Sequence, residues 1–193
     1  MAGCMLYGVI INLREDTLAE EMHARNVKVI KNPTIKVSRK NYTLGLYEGD
    51  TLLIKNYRAV FGRNPLPKRL IDDKGTPFGD YEICDIDSGS IYYRFYKINF
   101  PNLRDLVDAR NRGVISREDF EALRYQSDLN QSPKPDSRLG GDIGIHGLGR
   151  LNFLLKKLPF IFNWTDGSIA ISNESIDELS PIIQKGTKVF IGE

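Results

Sequence analysis

From Thr34 to Gly62 the chain alternates apolar and polar residues with a period of two: TIKVS, then YTLGLYEGDTLLIKNYRAVFG. Successive side chains of an extended strand point to opposite faces, so this pattern builds strands with one buried and one solvated face. Glu48-Gly49-Asp50 divides two of the runs, and glycine at such a point permits the tight turn of an antiparallel hairpin. Further strands are expected at Tyr81 to Asp87, along the aromatic-rich SIYYRFYKINFPN and at Lys188 to Ile191. The three prolines of NPLPKRLIDDKGTPFGD make that stretch a surface loop.

Helical signals are short. They cover Arg14 to Arg25, with Leu18 and Met22 on one face, Pro101 to Arg110, and Ser116 to Tyr125, which opens with Ser116 and Asp119 at capping-box spacing. A last helix, ESIDELSPII, is expected to be capped by Asn173 and limited by Pro181. The polar QSDLNQSPKPDSRLGG reads as a long loop, open to use as a lid or as a solvated connector. The fold class expected is therefore mainly β (α+β), with three or four short helices.

A chain of 193 residues with 41% hydrophobic content can bury a full core, and the length favours one domain. Lys+Arg of 27 against Asp+Glu of 25 leaves a charge of only +2 with no long block of one sign, so nucleic acid is not an expected partner. Cys4 and Cys84 are too few and too far apart for a metal framework, and with two histidines no His/Cys cluster can form, so neither metal nor cofactor is expected. The first thirteen residues are apolar but lack a basic leader and a clear cleavage site, and are too short to span a bilayer. We expect residues 1–33 to be an extension and residues 34–193 the functional domain.

The best catalytic candidates lie between Gly141 and Asn173. His146 ends a short apolar run and is followed by Gly147; Ser168 follows Gly167 and opens the run Ile169-Ala170-Ile171. An imidazole that takes a proton from a side-chain nucleophile, beside a glycine turn with free backbone N–H groups, is suited to acyl transfer. The same residues also describe a strand-end histidine and a turn serine, and taken alone they leave both readings open.

The segments IGIHG, NWTDGSIAISNESIDEL and KGTKVFI resemble the catalytic domain of the L,D-transpeptidases (the YkuD-like family), whose signature is His-Gly, then Ser/Thr-x-Gly-Cys and an Asn shortly after. The matching residues are His146, Gly147, Thr165, Asp166, Gly167, Ser168 and Asn173, and Thr76, Pro77, Gly79 and Tyr81 match a TPxGxY segment that borders the family's site. The resemblance implies His146 as general base, the Gly147 carbonyl as the group that orients it, and residue 168 as nucleophile. It implies an oxyanion hole from the N–H groups of Asp166, Gly167 and Ser168, with Thr165, Asn173 and Tyr93 near the substrate.

The substrates it implies are peptidoglycan stem tetrapeptides. The bond attacked joins the third, diamino acid residue to the terminal D-alanine; the acyl group passes to a second stem's amine, and carbapenems acylate the nucleophile in many members. It further implies an L,D-transpeptidase-like β-sandwich with a few short helices and a long loop over the active site, in an extracytoplasmic monomer without a cofactor. Hydrolysis of a peptidoglycan amide is the alternative reaction.

Three departures stand out. Ser168 replaces the family's cysteine, and Ala170 and Asp166 stand where the family often has Arg and His. Ser168 is open to three readings: a deliberate replacement that traps an inactive enzyme, an inactive homologue kept as a stem-peptide binding module, or a serine acyltransferase. Retention of His146 and its surroundings favours the first, with turnover lowered by several orders of magnitude.

Overall fold

The computed structural model describes residues 15–128, 137–155 and 162–193. The alternating stretch forms three antiparallel strands, β1 (Pro33–Ser38), β2 (Thr43–Glu48) and β3 (Leu52–Arg58). Gly49 turns the hairpin between β2 and β3 with φ +61°, where a side chain would be strained. Ile35 and Val37 of β1 and Leu44 and Leu46 of β2 are buried at a spacing of two, as the sequence period requires, whereas in β3 an irregularity in the pairing shifts the phase and buries Ile54, Lys55 and Tyr57.

The remaining strands are β4 (Gly79–Asp87), β5 (Phe95–Ile98), β6 (Gly144–His146), β7 (Ile169–Ala170) and β8 (Lys188–Gly192). All eight belong to one sheet in the order β3-β2-β1-β8-β4-β5-β6-β7. The sheet curls until its two edges meet. Val60, just past β3, exchanges both backbone hydrogen bonds with Ala170 of β7, at 3.0 and 2.9 Å. The mainly β class expected from the sequence is the class observed.

Among the described residues, five α-helices decorate the sheet: α1 (Leu18–Ala24), α2 (Leu103–Asn111), α3 (Arg117–Asp128), α4 (Asn152–Leu155) and α5 (Asn173–Leu179). At the start of α3, Ser116 Oγ accepts from the Asp119 N–H at 3.0 Å and Asp119 accepts from the Ser116 N–H at 3.2 Å, closing the expected capping box. Ile176 and Leu179 carry α5 into the main core. Leu106 and Ala109 of α2 build a second cluster with Ile115 and Leu139.

Two sequence expectations change. The aromatic run is a strand only from Phe95 to Ile98; the residues before it form a turn in which Tyr93 has φ +80°. The cap of α5 is Ser172, whose Oγ accepts from the Ser175 N–H at 3.1 Å, and Asn173 is the first helical residue. Part of the polar loop after α3, residues 129–136, and the apolar N-terminal run, with Cys4, lie outside the described residues, and so does the lid reading of that loop.

The docking of α2 on β4 carries a titratable contact. Tyr81 donates to Asp105 Oδ1 at 3.2 Å, and the Asn102 N–H donates to Asp105 Oδ2 at 3.0 Å. Burial pushes the Asp105 carboxyl up to about 6, with the Asn102, Tyr81 and Arg104 contacts opposing. The folded chain therefore holds this proton up to about pH 6, whereas an unfolded aspartate releases it near about 3.9. The stability tied to Asp105 is full below about pH 4 and is lost as pH rises towards about 6. In Asp105→Asn, which keeps an acceptor for the Asn102 N–H, the melting temperature relative to the parent should be higher at about pH 7.5 than at about pH 4.5. An equal difference at both pH values in calorimetry would contradict this assignment.

Candidate active site

Strands β6 and β7 run side by side and parallel, Ile145 opposite Ile169 and His146 opposite Ala170. This register brings together the two halves of the sequence pairing. Ser168 sits just before β7, and its Oγ accepts a hydrogen bond from the Gly144 N–H at 3.2 Å. His146 and Ser168 line one cleft of about 580 Å³ with Tyr92, Phe95, Trp164 and Thr165. The imidazole and the Ser168 hydroxyl share that cleft without a hydrogen bond to one another among the described residues.

His146 is 3% exposed, and its Nδ1 lies 2.7 Å from the Gly147 carbonyl oxygen. A carbonyl only accepts, so Nδ1 carries the proton and Nε2 keeps a free lone pair, the tautomer a general base requires. Three aromatic rings surround the imidazole: Tyr92 at 4.7 Å, Phe95 stacked at 6.0 Å and Trp164 edge-on at 6.1 Å. Burial pushes the His146 pKa below its ordinary value, with the Gly147 carbonyl acting in the opposite direction.

The turn after His146 is held from α5. Asn173 Oδ1 accepts from the Leu148 N–H at 2.9 Å and the Gly149 N–H at 3.1 Å, while Nδ2 donates to the Gly149 carbonyl at 3.0 Å. A Cβ on Gly147 would lie 2.6 Å from Asn173 Oδ1 and 3.0 Å from the Tyr92 carbonyl, so that position requires glycine. Asn173, placed near the substrate by sequence reasoning, is instead spent inside the protein on the loop that positions the imidazole.

The turn that carries Ser168 is tied by Thr165, whose Oγ1 accepts from the Gly167 N–H at 3.2 Å and donates to the Ser168 carbonyl at 2.6 Å. The Gly167 N–H expected in an oxyanion hole is thus already used. Gly167 has φ +133°, and a Cβ there would lie 2.7 Å from the Gly75 carbonyl. The loop between β3 and β4 therefore packs backbone against backbone on the Ser168 turn.

That loop is itself well fixed. The buried Arg39 guanidinium donates to the carbonyls of Pro65, Gly62 and Asn64 at 2.7, 3.3 and 2.6 Å. Lys68 donates to those of Leu70 and Ile71 and also meets Asp73. Thr76 Oγ1 accepts from the Gly62 N–H at 2.9 Å, so the TPxGxY threonine braces the site from behind.

The Asp166 carboxylate is exposed at the cleft mouth, where it pairs with Arg63. Tyr93 also differs from expectation, for its hydroxyl donates to Asp177 at 2.7 Å, and Tyr92 takes the place against the imidazole. The reason is the turn before β5, which breaks the strand alternation assumed for this run. Sequence reasoning missed Arg63, Tyr92, Phe95 and Trp164; the aromatic content of two runs was a signal, but its phase was not legible. Among the described residues, no three His, Cys, Asp or Glu side chains are grouped to hold a metal ion, and no helix is long and apolar enough to cross a membrane.

The sequence profile of the L,D-transpeptidase catalytic domain family matches residues 32–191, and the chain belongs to that family. Among solved structures, the helical cell shape determining protein Pgp2 of Campylobacter jejuni is 18% identical, with a TM-score of 0.55 over 92% of this chain and 55% of that one. Bd1075 of Bdellovibrio bacteriovorus is also 18% identical, with a TM-score of 0.53 over 84% of this chain and 48% of that one. This chain spans about half the length of either protein, and at this identity the likeness is one of fold. No curated protein sequence matches the chain.

Two outcomes follow from the geometry. In an NMR titration the His146 imidazole, assigned with His146→Gln, should titrate below about 6.5; a midpoint at or above that value would contradict its burial. Asn173→Ala removes the acceptor of two backbone N–H groups and should cost about 1–3 kcal/mol in chemical denaturation.

Proposed function

We propose that this domain is built for acyl transfer on peptidoglycan stem tetrapeptides through an acyl-enzyme, with the reaction crippled by serine at position 168. The observation that supports this reading most directly is the neutral, Nδ1-protonated His146, held by the Gly147 carbonyl in the cleft that also contains Ser168.

With a cysteine at position 168, the sulfur attacks the carbonyl carbon of the diamino acid residue and His146 Nε2 takes the thiol proton. As the tetrahedral intermediate collapses, the proton passes to the D-alanine nitrogen, which leaves as the free amino acid. A second stem's amine then attacks the thioester, gives its proton to His146, and releases the thiolate as the new amide forms. Water in place of that amine would make the domain a hydrolase. The serine hydroxyl offers no comparable anion and must lose its proton in concert with attack.

A second reading, a stem-peptide binding module, is favoured by the hydroxyl of Ser168 resting on the Gly144 N–H and not on the imidazole. On either reading the domain works outside the cytoplasm as a monomer, with residues 1–33 as an extension.

Intact mass before and after incubation with a carbapenem separates the two. Ser168→Cys should gain the mass of one drug molecule, Ser168→Cys with His146→Gln should gain it far more slowly, and the parent chain should gain none. If the cysteine variant remains unmodified, the acyl-enzyme reading falls and the binding module stands in its place.

A further inference from the structure

The cleft carries more charge than the chemistry of His146 and Ser168 requires. Its charged walls are Arg63, Lys68, Asp142 and Asp166. Lys68 has a side chain only 2% exposed and is used by two carbonyls and Asp73, so it braces the loop and cannot meet a ligand. Asp142 is paired with Lys97, outside the cleft wall. Arg63 and Asp166 remain: they pair with each other, yet 49% of the Arg63 side chain and 72% of the Asp166 side chain is open to solvent.

The position of this pair is fixed by backbone. The Arg63 N–H donates to the Thr165 carbonyl at 3.1 Å, which anchors the arginine to the turn that carries Asp166 and Ser168. The pair therefore stands beside the reacting position, two residues from Ser168 in the chain.

We infer that Arg63 and Asp166 together recognise a zwitterionic head, an ammonium and a carboxylate on one carbon, at the end of the diamino acid side chain of the stem peptide. The inference rests on the stem-peptide reading above. A lone carboxylate approaching Arg63 would meet the repulsion of Asp166, and a lone ammonium approaching Asp166 would meet that of Arg63. A zwitterion replaces both halves at once: its carboxylate takes the guanidinium fork and its ammonium takes the aspartate. An exposed ion pair contributes little by itself, so opening it costs little, whereas an arginine-carboxylate fork and an ammonium-carboxylate contact are both charge-assisted. The pair is thus a resting form of the site, with each partner holding the other's place.

The test is calorimetric titration of the full chain, as it stands with Ser168, using three synthetic tetrapeptides. One carries meso-diaminopimelate at the third position, one has its side-chain carboxylate amidated, and one has its side-chain amine acetylated. The zwitterionic probe should bind at least about tenfold more tightly than either of the others. Arg63→Gln should bring it level with the amidated probe, and Asp166→Asn level with the acetylated one. Both side chains are exposed, so the melting temperatures of the variants should match the parent and exclude misfolding as the cause. Binding of all three probes within about twofold, or a preference that survives both substitutions, overturns the inference and leaves stem-peptide binding intact. Binding of none overturns it together with the reading beneath it.

Discussion

Two backbone hydrogen bonds between Val60 and Ala170 close the sheet, and the site exists because of that closure. They join the end of the first hairpin to the strand that follows Ser168, elements more than half the chain apart in sequence. Once they form, the loop after β3 lies against the Ser168 turn, where a Cβ on Gly167 would come within 2.7 Å of the Gly75 carbonyl. The loop is as tight within itself: a Cβ on Gly62 would lie 2.2 Å from the Lys74 carbonyl, and one on Gly75 would lie 2.6 Å from that of Leu66. Arg39 then ties the loop down by donating to three of its carbonyls, that of buried Gly62 among them. The cleft is thus a seam in a curled sheet, with side chains lining it and backbone contacts holding the loop and the Ser168 turn together beneath them.

His146 shows what such a seam does to a candidate catalytic group. Burial among Tyr92, Phe95 and Trp164 disfavours the charged imidazolium, so the resting group is neutral and available as a base. The partner on Nδ1 is a carbonyl and not a carboxylate. It fixes the tautomer and the ring plane without supplying the negative charge that would draw a second proton. That carbonyl is held in place indirectly, through Asn173 and the Leu148 and Gly149 amides. One asparagine on a helix thereby determines the direction of a lone pair on a strand.

Much of this was legible in the sequence, because the strands of the first hairpin, the capping box at Ser116 and the His-Gly and Gly-Ser turns are local signals. What could not be read depends on contacts between distant segments. Nothing local to Val60 or Ala170 announces their bridge. That Tyr92 lies against the imidazole was not legible, since period-two alternation holds only within a strand and the turn ending at Arg94 interrupts it. Ser172 and Asn173 are both good caps, and the choice between them was made by the turn that needed the Asn173 amide. The motif assigns Asp166 a backbone N–H role and says nothing of its side chain, whose pairing with Arg63, 103 residues away, is again a contact between distant segments.

The serine can be weighed against this architecture. A thiol with an ordinary pKa of about 8.5 can pass its proton to an adjacent imidazole at modest cost, and the Gly144 N–H that now touches Ser168 Oγ would then face an anion. A depressed imidazole pKa makes His146 a weaker proton acceptor, a handicap that a thiol tolerates because its own proton is loosely held. A hydroxyl holds its proton far more tightly, so the same handicap falls on a nucleophile that cannot ionise before attack. The environment that suits cysteine is therefore the one that penalises serine most: a buried neutral base, one backbone donor at the attacking atom, and a Gly167 N–H already used by Thr165. A serine enzyme evolved for its own nucleophile would be expected to raise the basicity of its histidine, for example with a carboxylate on Nδ1. The Gly147 carbonyl occupies that place here, which supports the proposal that the site is arranged for a cysteine nucleophile and is impaired by serine.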